Sequence, residues 1–95
     1  MSAALDHDDL CDMLSDDIRR MVCTSASIAL QDSRYGHLGA EDQCGSVMAG
    51  IATGLMCVML ACTGRENHAA ITKAICDAAP LCMDMALEID RELLQ

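Results

Sequence analysis

Residues 43–64, QCGSVMAGIATGLMCVMLACTG, carry no formal charge although they lie inside a strongly acidic chain. A helix built from this run has no face suited to water, so something must enclose it: neighbouring helices, a second copy of the chain, or lipid. The segments on either side show which enclosure fits.

On the N-terminal side the spacing predicts a first helix over about residues 6–31. Asp6, Asp8 and Asp9 stand in or just before its opening turn, where carboxylates complement the helix dipole and cap free amides. Leu10, Leu14, Ile18, Met21, Ser25 and Ile28 recur three and four residues apart and share one stripe, while Asp12, Asp16, Arg19 and Arg20 lie off it. The segment QDSRYGHLGA then breaks the pattern with Gly36 and Gly39, and it holds Tyr35, the one aromatic residue of the chain.

The second helix is expected over 40–63, with Glu41 and Asp42 at its positive end and Gly64 as a left-handed cap. One of its stripes is Cys44, Met48, Ile51, Leu55, Val58 and Cys62. Another is Ser46, Gly50, Gly54, Cys57 and Ala61, small residues near four-residue spacing that let two backbones approach closely; they form the expected dimer contact. A plainer reading has them making room for neighbours within one subunit. A third helix over 67–94, capped by Asn67, follows Ile71, Ile75, Ala78, Cys82, Met85, Ile89 and Leu93. The phase holds across Pro80, so one kinked helix is expected there rather than two.

These elements define an all-α class: a three-helix subunit with a kinked third helix, the whole of residues 1–95 being one domain. Two neighbours cannot surround the middle helix, so the chain is expected to form a homodimeric helical bundle. With aromatics almost absent, Leu, Ile, Met and Cys must fill the core. A bilayer span is the competing reading of 43–64. Against it stand Gly45, Gly50, Gly54, Ser46, Thr53, Thr63 and Gln43 in the run, no aromatic residue at either edge, and no basic cluster to set orientation.

Fifteen acidic against six basic residues give a formal charge of −9, which argues against direct nucleic-acid binding, because phosphate contacts need clustered Lys and Arg. A basic protein surface is the more natural partner. The densest acidic region, Asp8, Asp9, Asp12, Asp16 and Asp17, is the expected partner-facing surface; Asp84, Glu88 and Glu92 form a second ridge at four-residue period. The bland alternative for both is a solvated helix face. Seven cysteines are an odd number without a CxxC pair, and MSAALDHDDL lacks the layout of an export signal. Both features point to a reducing cytoplasm, with the cysteines acting as small core hydrophobes.

Soft ligands pair along the helices as Cys44 with Met48, Met59 with Cys62, and Cys82 with Met85, and sulfur ligands of this kind suit Cu(I). The same residues fall on core stripes, so packing explains them without a metal, and no cofactor is expected. His7 lies one turn before Cys11. His37, near Tyr35 in the glycine-containing loop, and His68 have no sequence-specified nucleophile or orienting acid, and no phosphate-cradling loop is present. The sequence therefore reads as a non-enzymatic interaction module, an inhibitor, anti-activator or adaptor, with a Cu(I)-handling protein as the alternative. Small acidic helical dimers occur among bacterial and phage-encoded inhibitors, a likeness of form alone.

Overall fold

The computed structural model describes residues 6–93. Three helices follow one another, α1 over His7–Leu30, α2 over Ala40–Thr63 and α3 over His68–Leu93, and no strand occurs among the described residues. The fold is all-α. Short 3-10 turns, Ser33–Tyr35 and Arg65–Asn67, carry the chain between helices. By internal packing the chain divides into two units, one ending at Ile51 and one beginning at Ala52, so that α2 contributes to both.

In the first unit α1 starts where the sequence supplies a cap. Asp6 is extended (φ −76°, ψ 174°), and its carboxylate accepts from the Asp9 amide at 2.8 Å. Asp8 and Asp9 occupy the positive end of the helix. The helix stops because Asp32 leaves helical geometry (φ −66°, ψ 126°) and its carboxylate accepts from the Arg34 amide at 2.9 Å, a turn that competes with helix continuation. The Arg34 guanidinium closes on the same carboxylate and also lies 5.2 Å from the centroid of the Tyr35 ring. One bond ties this turn to the next helix: Gln43 Nε2 donates to the Tyr35 carbonyl at 3.0 Å.

In the second unit α2 ends with Thr63 Oγ1 donating to the Met59 carbonyl and the Gly64 amide donating to the Leu60 carbonyl, each at 2.8 Å. Gly64 has the expected positive φ of 95°, but its ψ of 151° lies far from the left-handed helical well. The chain therefore turns through a region open essentially to glycine alone, rather than through an ordinary left-handed cap. Asn67 also differs from expectation. Its side-chain Nδ2 donates back to the Thr63 carbonyl, so it satisfies the end of α2 instead of capping α3. The Arg65–Asn67 turn packs against the start of α3, which then runs through Pro80 as a single element.

Burial is where this chain departs from an ordinary domain. Among the described residues only Ile71, at 7% exposure, is buried. Met59, Leu60, Ile75 and Ile89 are half-covered, as is Val47 in the first unit. The stripes identified from spacing are otherwise open: Leu14 is 64% exposed, Ile28 65%, Met48 70% and Val58 60%. All seven cysteines are exposed thiols, so the single chain does not use them as core atoms.

The backbone at Gly64 gives a direct test of the α2–α3 corner. A Cβ there stands 2.6 Å from Glu66 Oε1, which a flexible side chain can relieve, but the dihedral strain cannot be relieved. Gly64→Ala is expected to cost about 1–3 kcal/mol in urea unfolding at fixed protein concentration; an unchanged midpoint contradicts this reading of the corner.

Candidate functional site

Three sets of residues compete for a functional role: the acidic residues of α1 and α3, the small stripe of α2, and the sulfur pairs of α2 and α3. The acidic face of α1 holds Asp8, Asp9, Asp12 and Asp16, off the stripe of Leu14, Ile18, Met21 and Ile28, while Asp17, three residues after Leu14 and four before Met21, borders that stripe. Its members differ in their pairing. Asp16 Oδ1 accepts from Arg19 at 2.7 Å and its other oxygen meets Arg20 at 2.8 Å. The Arg19 hydrogen bond, aided by the charge of Arg20 and opposed by partial desolvation, holds the Asp16 carboxyl below its ordinary value of 3.8. Asp16 is thus already matched by two cations within its own helix. Asp8, Asp9, Asp12 and Asp17 are exposed and form no salt bridge among the described residues. On α3, Glu88 pairs with Arg91, while Asp84 and Glu92 are open to solvent.

The small stripe of α2 faces no packed neighbour. A Cβ built on Gly50 or Gly54 meets no atom of the described residues within 4 Å. Ser46, Cys57 and Ala61 are exposed as well.

The sulfur pairs are the third set. Leu30, Gln43, Cys44, Val47 and Met48 line an open, mainly apolar hollow of about 300 Å³ in the first unit, so one Cys/Met pair shares a concavity. Met59, Cys62, Cys82 and Met85 line no such hollow among those resolved. No three His, Cys, Asp or Glu side chains among the described residues converge on a point suited to a metal ion. His7 Nε2 and Cys11 Sγ do approach each other, at 3.6 Å. Tyr35 and His37 lie in the exposed turn, and the tyrosine's part there is structural: its ring receives Arg34 and its carbonyl receives Gln43. The hollow contains no acid, base or activated nucleophile beyond the Cys44 thiol.

The Asp16 pairing is absent from the sequence reading, although its three- and four-residue spacing to Arg19 and Arg20 is the signal that carries it. The Asp32–Arg34 clamp and the Gln43 tie have no such signal, because each depends on a turn whose dihedrals the sequence leaves open. No protein-family model, curated protein or solved structure matches this chain.

The two arginine-clamped carboxylates, Asp16 and Asp32, give a pH prediction. The Arg34 side chain, and then the Arg34 amide, hold Asp32 below 3.8 in the same way. A carboxyl whose pKa folding lowers adds stability that is complete above the unfolded value and disappears as pH falls through the folded value, so the window lies below about pH 4. Asp16→Asn and Asp32→Asn should each flatten the acid limb of a stability–pH profile there. An acid limb identical to wild type in both variants contradicts the clamps.

Proposed function

We propose that this chain is a non-enzymatic, self-associating helical interaction module. In this reading two copies close into a bundle in the cytoplasm, α3 bends at Pro80, and the outward acidic face of α1 engages a basic protein surface as an inhibitor, anti-activator or adaptor. The observation that carries the reading is that Ile71 alone is buried among the described residues.

Exposure supports a second copy: apolar stripe residues of each unit, Leu14 and Ile28 in the first and Val58 in the second, stand more than half exposed. Lipid is the competing cover for α2, which is long and apolar enough to cross a bilayer, with mean hydropathy 1.9 over an 18-residue window. Lipid does not suit α1 and α3, whose opposite faces carry Asp8, Asp12, Asp84 and Glu92, yet their stripes need cover too. A bundle covers all three. The Cu(I) alternative draws on Cys44 and Met48 sharing one hollow, and copper bound in stoichiometric amount after purification would favour it.

Sedimentation of the reduced chain without detergent should give roughly twice 10.1 kDa. A folded monomer, or a requirement for detergent, contradicts the module. A Cβ at position 54 meets no atom of the described residues within 4 Å, so Gly54→Leu tests the second copy's contribution: association should weaken by about 1–3 kcal/mol while helicity at high concentration is kept. Undiminished association places that face outside the interface.

The charge component has its own test. Neutralising Asp8, Asp9 and Asp12 together to Asn should slow association with a basic partner copurified from the host, and the difference should shrink at high salt. Binding kinetics that match wild type at low ionic strength move the partner site off α1.

A further inference from the structure

We infer that His7 and Cys11 are half of a tetrahedral divalent-metal site, of the kind that takes zinc, completed by the same two residues of a second copy; the inference rests on the self-association proposed above. The two ligand atoms, His7 Nε2 and Cys11 Sγ, stand 3.6 Å apart, one turn from each other on α1. A metal–nitrogen bond of about 2.0–2.1 Å and a metal–sulfur bond of about 2.3 Å meeting at a tetrahedral angle separate their ligand atoms by about 3.6 Å. The pair already has the bite of such an ion, and both side chains are exposed.

Their position on the helix supplies the other two ligands. Stepping back from Ile28 through Ser25, Met21, Ile18 and Leu14 alternates three and four residues, and the same alternation continues to Cys11 and then His7. The pair therefore sits on the apolar seam of α1, not on its acidic face. When two α1 helices pair in parallel along this seam, both copies of His7 and Cys11 meet at one end and form a Cys₂His₂ set. Binding releases the Cys11 thiol protons to solvent and requires neutral imidazole, with no change of oxidation state.

Cobalt(II) is the probe, because thiolate ligation gives it a charge-transfer absorption. Titration of the reduced full chain should reach one cobalt per two chains with a thiolate band, and zinc should displace it. Cys11→Ser and His7→Gln should each abolish or reduce the band and weaken binding by roughly tenfold or more. The substitutions are at exposed positions near the start of α1, and the six other cysteines remain as an internal control. A band that persists in both variants assigns the metal to other cysteines and overturns the site. One cobalt per chain overturns its completion by a second copy. Sedimentation of the metal-free chain separates the two proposals: a dimer that gives no thiolate band defeats the site alone, whereas a chain monomeric with and without metal defeats the association on which it rests.

Discussion

The absence of a polar face on α2 is the constraint on which the rest of this structure depends. From Gln43 to Gly64 no side chain carries charge, so apart from the amide of Gln43 and the hydroxyls of Ser46, Thr53 and Thr63 the helix presents methyl groups, thioethers, thiols or bare backbone. In water such a helix loses free energy on all sides, at roughly 25 cal/mol for each Å² of apolar surface left exposed. The flanking helices are shaped by this demand. Each has one apolar stripe to offer and one charged face to turn outward, and two stripes do not encircle a cylinder. Among the described residues only Ile71 is buried.

Much of the secondary structure was legible because the signals are local. Asp6 caps α1 as its position before Asp8 and Asp9 suggests, and the three-four alternation fixes the extent of each helix to within a residue or two of what the structure shows. Pro80 sits inside α3, as the unbroken phase of Ile75, Ala78, Cys82 and Met85 across it implies. The corners were less legible. Gly64 has the positive φ that a glycine after a helix announces, but its ψ follows from the Arg65–Asn67 turn, which no periodicity reveals. Asn67 was misread for the same reason: a capping residue type shows that a side chain bonds to nearby backbone, and the direction of the bond depends on the turn.

The candidate surfaces show a similar division. Composition identifies the acidic face of α1 but does not reveal that Asp16 is matched by Arg19 and Arg20, which leaves Asp8, Asp9, Asp12 and Asp17 as the charge available to a partner. Spacing identifies the small stripe of α2, and a Cβ at Gly50 or Gly54 meets no atom of the described residues within 4 Å. The sulfur residues follow the stripes, which is why packing and metal binding compete to explain them. At His7 and Cys11 two ligand atoms of different type face one another, and that approach depends on side-chain rotamers that the sequence does not encode by itself.

If the core forms between copies, folding and association are one equilibrium, and stability must depend on protein concentration. The most direct measurement is the thermal unfolding midpoint of the reduced chain, followed by far-ultraviolet circular dichroism over a roughly hundredfold range of concentration without detergent. The account predicts a midpoint that rises steadily with concentration, with helicity lost on dilution at fixed temperature. A cooperative transition with the same midpoint at every concentration would mean that one chain covers α2 by itself, and would contradict it.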